Sequence, residues 1–264
     1  MRLRIAVTVV LTVAAVVACA GCRPTAVSTP ADGGLPAIVM KMVEEQDDAL
    51  RYSIWARYPQ LRGHLAPTVE NKVNTAIADM AVREIPGFRK DAANEAAWAA
   101  MNGVQEQNCF LRVDFEIPYL SEDLVSVRMR FENYTGGAHG MSFTRVLNVR
   151  LGDGAILGAE GLFTDGKQGL QLLSQDCAVD LKRQYGADYE GMKSFVDRGT
   201  EPTADNFASV ALEPGALVVS FDPYQVGPYA AGPREVRIPV DEVRSMLVVT
   251  LSPGAFSLVL EPRS

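Results

Sequence analysis

The sequence predicts an α+β fold: antiparallel sheets with packed helices, arranged as two intimately joined subdomains. Three observations predict it. Apolar residues recur at helical spacing from Val69 to Met80, the period switches to two from Cys109 onward, and a second helical stretch at 166–185 is followed by more alternating segments. With 264 residues, 48% hydrophobic and 22% charged, the chain is long enough and apolar enough to bury a sizeable core.

The elements follow in order. AIVMKMV (37–43) and RYSIWARY (51–58) are rich in β-branched and aromatic residues and are separated by the acidic EEQDDA, so they predict a strand pair. Pro67 opens a helix whose buried stripe is Val69, Val73, Ile77 and Met80. PGFRK (86–90) predicts a break, and the alanine-rich DAANEAAWAAMNG, ending in Asn-Gly, a second helix stopping near Met101. CFLRVDFEIPYL and LVSVRMRFENY then alternate. In the second, Val125, Val127, Met129 and Phe131 share one face and Ser126, Arg128, Arg130 and Glu132 the other, as in half-buried antiparallel strands. SFTRVLNVRL is a further strand, closed by Gly152-Asp153-Gly154. Leu170, Leu173, Cys177 and Leu181 mark the apolar face of the 166–185 helix. Strands at 206–213 and 216–221 meet at Glu213-Pro214-Gly215. REVRIPV leads to a short helix from Asp241, and a last hairpin is expected around Ser252-Pro253-Gly254.

The N-terminus speaks to location. Arg2 and Arg4 precede an uncharged, mostly apolar run over 5–20, which is short of the ~20 residues that span a bilayer. Small residues before Cys22 complete a secretory signal peptide over 1–21, and the Ala20-Gly21-Cys22 ending resembles a bacterial lipobox with Cys22 as the lipidated residue. It departs from that pattern at Cys19, where leucine is usual; plain signal cleavage and an uncleaved anchor are the alternatives. The proline- and glycine-bearing 22–36 reads as a flexible tether. The expectation is an extracytoplasmic body, lipid-anchored to a bacterial membrane.

The formal charge of −7 argues against nucleic acid as a partner, which needs concentrated Lys and Arg, and favours a basic one. In an oxidising compartment Cys109 and Cys177 are expected to form a disulfide, with two separate buried thiols as the alternative. Two thiols alone cannot complete a zinc site. No metal-ligand cluster, phosphate-cradling loop or Gly-x-Ser-x-Gly element stands in the sequence, so no metal and no cofactor is predicted and an enzyme is unsupported.

Two segments carry the candidate binding residues. In NYTGGAHG, Tyr134, Gly136, Gly137 and His139 admit two readings. The imidazole stands on a glycine-rich approach open to a ligand, or the glycines supply positive φ for a turn and His139 hydrogen-bonds locally; the second is favoured. In FDPYQVGPYAAG, Asp222 is conceivable as an acid partner for His139 if the two segments meet. Tyr224 and Tyr229 are anchors on a stiff loop, or pack back onto the sheet. His64, in RGHLAP, reads as a solvated or packing residue.

YPQLRGHLAPTVENKVNTAI, NYTGGAHG, LNVRLGDGAILGAEGLF and FDPYQVGPYAAGPREVRIPV, in this order over roughly 38–247, resemble the paired extracytoplasmic domains of unknown function 4163 and 3298. These occur in the peptidoglycan deacetylase PdaC and the lysozyme-sensing anti-sigma factor RsiV. The resemblance implies a 4163-like subdomain over 37–105 and a 3298-like subdomain over 106–264. The deacetylase chemistry belongs to a separate metal-dependent domain, and its His-x-x-x-His is missing here; FTDG (163–166) is a turn and helix start. Only four residues precede the apolar run, which leaves no segment to hold a sigma factor. What the resemblance implies is a non-catalytic binding or sensing module for a lysozyme-like protein or a peptidoglycan-type glycan. The rivals are an envelope hydrolase or deacetylase using His139 with a carboxylate, and a purely structural lipoprotein.

Overall fold

The computed structural model describes residues 34–105, 107–251 and 256–259. The expected signal peptide, Cys22 and its lipid, most of the tether and the Ser252-Pro253-Gly254 turn lie outside them. The described chain is α+β, with strands in two hydrogen-bonded sheets and helices packed on them. Two compact units are interleaved along the chain. One holds the residues up to Val113 together with Asn133–Gly140; the other holds Asp114–Glu132 and the residues from Met141 onward.

In the first unit, β1 (Ala37–Asp47) and β2 (Tyr52–Arg62) pair antiparallel along their whole length. The acidic stretch assigned to a break is strand as far as Asp47. Glu45 is turned inward and only 8% exposed, where it takes the Tyr52 hydroxyl at 2.6 Å and a two-pronged ion pair from Arg89. Asp47 then accepts the Ala49 and Leu50 amides, each at 2.9 Å, and closes the turn.

Helix α1 (Pro67–Val82) buries Val73, Ile77 and Met80 as the spacing predicts. It also buries Asn74, whose amide exchanges two hydrogen bonds with the Leu61 backbone, at 2.7 and 2.9 Å. The predicted break at 86–90 is absent: α2 runs unbroken over Ile85–Asn102. Pro86 falls in the first turn, where its missing N–H costs nothing. Phe88, 3% exposed, packs edge-on against Tyr52 at 5.7 Å. Burying such a ring is worth roughly 1.5–3 kcal/mol, enough to draw this turn into the helix. Gly103, left-handed at φ 64°, caps the end as Asn-Gly foretells.

The start of β3 (Cys109–Leu120) pairs with β2 in parallel, from Tyr52↔Cys109 to Ala56↔Val113, where antiparallel pairing was expected. The two intervening helices are the reason. A helical crossover returns the chain to the same end of the sheet, which an antiparallel neighbour does not need.

In the second unit the rest of β3 is followed in the sheet by β4 (Leu124–Tyr134), β5 (Met141–Arg150) and the two-residue β6 (Ala155–Ile156). A second sheet orders β7 (Val210–Glu213), β8 (Ala216–Phe221) and β9 (Arg234–Pro239), all antiparallel. Helix α3 (Gly166–Tyr185) starts at Asp165, whose side chain takes the Gln168 amide at 3.1 Å, and buries Leu170, Leu173, Cys177 and Leu181 in the main core. Helix α4 (Tyr189–Gly199) was not foreseen, although Tyr189, Met192 and Val196 recur at helical spacing and pack on the main core. A four-residue α5 (Val240–Val243) follows β9, and β10 (Phe256–Val259) pairs antiparallel with β3.

Two expectations are corrected here. Strand β4 is not half-buried: its residues 124–129 are all buried, so both faces are covered. Ser126 donates no surface; its hydroxyl accepts the Leu212 amide of β7 at 3.1 Å. Nor do the two cysteines form a disulfide. Both are free, buried thiols, Cys109 at the head of β3 in one unit and Cys177 within the helical core of the other. Each thiol is spent on local packing, and burial pushes both above the usual thiol range.

Candidate functional site

The site is built where the ends of β4 and β5 face the ends of β8 and β9 in the second unit. A cleft of about 380 Å³ opens there, and its walls include Arg130, Phe131, Phe143, Asp222 and Arg234. Phe131 and Phe143 stack at 4.8 Å with their planes 6° apart, and the Arg145 guanidinium lies 4.5 Å over the Phe143 ring. Arg145 is held in turn by Asp222 at 3.0 Å.

Asp222 does more than pair. Its other oxygen takes the Thr144 backbone N–H at 2.7 Å, while the Thr144 carbonyl accepts the Ser209 hydroxyl at 2.9 Å. The carboxylate therefore fastens the β5 backbone to the start of the 222–233 loop. Burial pushes the Asp222 carboxyl above the usual carboxylate range, against the opposing pull of the Thr144 amide and the Arg145 cation.

The loop between β8 and β9 begins with a tight turn. The Gln225 amide bonds the Asp222 carbonyl at 3.1 Å across Pro223 and Tyr224, and Tyr224 has φ 72°. That is the pattern of a type II turn, which normally puts glycine at this third position. A tyrosine there is strained by about 1–3 kcal/mol and persists only if its surroundings over-determine it. They do. Gln225 bonds the Asp222 amide at 3.3 Å and the Asn206 carbonyl at 2.9 Å; Val226 is buried and its carbonyl takes the Tyr185 hydroxyl at 2.9 Å. Gly199, the last residue of α4, lets the loop come close: a Cβ there would lie 2.2 Å from the Gln225 carbonyl. Pinned on both sides, the turn presents Tyr224 50% exposed beside Tyr229, ring centroids 5.7 Å apart.

A charge network centred on buried Arg128 adjoins the cleft and shares Arg130 and Glu235 with its walls. Arg128, 4% exposed, reaches Glu213 at 3.2 Å, Glu116 at 3.4 Å and Glu235 at 3.6 Å. Arg130 joins Glu116 at 3.2 Å, and Arg237 joins Glu213 at 2.7 Å. Three cations balance three carboxylates, so β4 can carry charge inward.

The predicted site residues fall into two groups. Tyr134, Gly136, Gly137 and His139 share the 133–140 segment of the first unit. Gly136 and Gly137 have φ 93° and 95°, the Tyr134 hydroxyl donates to the Gly137 carbonyl at 2.9 Å, and exposed His139 has its Nδ1 3.0 Å from the Gly140 carbonyl. This is the geometry of a turn. A Cβ on Gly136 would come 2.5 Å from the Glu95 carboxylate, so the backbone rides close over α2. Asp222, Tyr224 and Tyr229 share the 222–233 loop of the second unit. His64 is exposed, at φ 58° in its connection.

Sequence reasoning missed Arg145 and Arg234, which sit in unremarkable strand patterns, and the α4 clamp on the loop. The positional signal for Arg145 was the alternation of β5, which sets it one residue after the threonine that Asp222 holds. Among the described residues no group of three or more His, Cys, Asp or Glu stands close enough to hold a metal ion. No helix among them is long and apolar enough to cross a membrane.

Comparison with known proteins places this geometry. Residues 43–142 match the family described as deacetylase PdaC, and residues 160–241 match the protein family of unknown function DUF3298. Tyr134 to Gly140 lie within the PdaC match, and the tyrosine loop within the DUF3298 match. The chain is 23% identical over 212 residues to the anti-sigma-V factor RsiV of Bacillus subtilis strain 168, covering 79% of this chain and 69% of that one. Its fold is similar to a crystal structure of a DUF3298 member from Bacteroides fragilis NCTC 9343, with a TM-score of 0.59, 20% identity, and 81% and 95% of the two chains covered. A second, from Pseudomonas aeruginosa PAO1, has a TM-score of 0.56 and 16% identity, and covers 84% and 100%.

Proposed function

We propose that this chain is a non-catalytic binding or sensing module of the bacterial cell envelope, with a lysozyme-like protein or a peptidoglycan-type glycan as its ligand. One observation carries the reading: Tyr224 is held at φ 72° by a loop pinned on both sides, and stands half-exposed beside Tyr229 on the loop that follows Asp222. Strain kept at a displayed aromatic is what a recognition surface needs, because two such rings give large contact area with little entropy left to lose. The similarity to an anti-sigma factor supports a sensing role and an extracytoplasmic location. The signal peptide over 1–21, lipid at Cys22, tether over 22–36 and the 37–105 and 106–264 subdomains complete the proposal.

Asp222 works against the hydrolase alternative. Its two oxygens are engaged by Thr144 and Arg145, which suits a fastening and not a general acid or base. In the 133–140 turn, Tyr134, Gly136, Gly137 and His139 offer a second contact surface under the same proposal.

The test is capture of hen lysozyme and of peptidoglycan fragments by the purified chain, across a salt series. An acidic chain holding a basic protein should release it as ionic strength rises. Capture of neither ligand would remove the proposal, and turnover of peptidoglycan lost in a folded His139→Ala variant would replace it with the hydrolase.

A further inference from the structure

The cleft holds a cation, Arg234, with no counter-charge among the described residues. Of the other charged groups lining it, Arg130 pairs with Glu116, Asp222 with Arg145, and Glu235 with Arg128 and the Ser220 hydroxyl. Glu132 is also engaged. Arg234 has no ion pair among the described residues, and its buried Nε has no hydrogen-bond partner. Leaving a partly buried guanidinium unpaired is costly, and such a group needs an explanation.

Its position is fixed all the same. The guanidinium lies 4.6 Å over the Tyr185 ring, and the Tyr185 hydroxyl is tied to the Val226 carbonyl of the tyrosine loop. Backbone pairing of Arg234 with Phe221 sets its Cα at the head of β9. A stacked arginine has little freedom left to lose when it takes a ligand.

We infer that the cleft is a subsite for a carboxylate-bearing ligand of about one sugar ring or one to two amino acids in size, with the carboxylate on the Arg234 guanidinium. This deepens the binding-module reading and rests on it. The planar guanidinium meets a carboxylate through parallel N–H donors, which a hydroxyl or acetamide cannot match. Ser142, Thr144 and Ser220 line the same cleft and supply hydroxyls for the rest of a polar ligand. The volume of about 380 Å³ sits at the small end of ligand sites. Within a peptidoglycan-type glycan this selects the sugar that carries an acid over its neutral neighbour.

The experiment is calorimetric titration of the purified full chain with three probes: N-acetylmuramic acid, neutral N-acetylglucosamine, and N-acetyl-alanyl-alanine with a free carboxylate. The expected result is binding of the acid sugar at least about tenfold tighter than the neutral one, the preference being lost in Arg234→Gln. Arg234→Lys, which keeps the charge and loses the fork, should retain only part of it. Binding of the peptide alone, with the same dependence on Arg234, upholds the carboxylate subsite and assigns it to peptide. Equal binding of acid and neutral sugars, or binding unchanged in a folded Arg234→Gln protein, overturns the inference. So does binding of none of the three probes. Lysozyme capture by that same protein tests the wider reading independently, and a thermal melt of each variant separates loss of the subsite from loss of the fold.

Discussion

Arg145 and Asp222 meet at 3.0 Å, and through that contact the β5 strand is fastened to the loop that carries the tyrosine pair. The pair explains why a conspicuous carboxylate beside a cleft is structural. It also makes stability depend on pH in a defined direction. The Asp222 pKa is raised in the folded state, so folding takes up protons at this site. Its contribution is fully present below the unfolded carboxylate pKa and is lost as pH rises through the higher folded one. Urea unfolding of wild type and Asp222→Asn between pH 3 and 7 should show the wild type gaining on the variant toward low pH. A difference that is flat with pH, or that grows toward neutrality, contradicts this.

Replacing Tyr224 by glycine removes a side chain from a left-handed position. Relief of backbone strain should leave stability unchanged or raise it by about 1 kcal/mol, while ligand capture falls. Gly199→Ala should do the reverse: its Cβ collides with the Gln225 carbonyl, so the loop shifts and stability drops. Denaturant midpoints and lysozyme capture, measured on both variants, separate the two effects.

Arg128→Ala leaves the largely buried Glu116 and Glu213 without their shared cation and should cost about 3–5 kcal/mol. Arg237→Ala removes a surface partner of Glu213 and should cost less than about 1 kcal/mol. Equal costs in chemical denaturation would mean that the network is not organised around Arg128.

Cys109 and Cys177 should resist alkylation in the native protein under oxidising conditions and react fully once it is unfolded. Both thiols are buried and both are pushed above their ordinary range. Mass mapping of the alkylated peptides reads this directly, and a peptide pair joined through the two sulfurs would refute it.

Much of the fold was legible because periodicity is a local property. The stripe Val73, Ile77 and Met80 had to face a core, and Leu170 to Leu181 likewise, whatever lay opposite. Positive φ at Gly136, Gly137 and Gly215 was also foreseeable, since turns there need residues without a Cβ. The errors came where a partner distant in sequence decided the outcome. Phe88 held PGFRK helical by packing on Tyr52, and Arg89 drew Glu45 into the sheet. Arg128 became buried because glutamates from three other strands met it there.

Local pattern was enough for the α+β class, the apolar faces of α1 and α3, the tight turns and the stiffness of the tyrosine loop. Long-range packing was needed for Asp222 to grip Arg145 and Thr144, for Tyr224 to be held in a left-handed turn, and for Arg234 to stand without a counter-charge among the described residues. The difference is one of range. Periodicity and turn chemistry act within a few residues, whereas an ion pair or a clamp across 77 positions of chain exists only once the sheets have brought its two ends together.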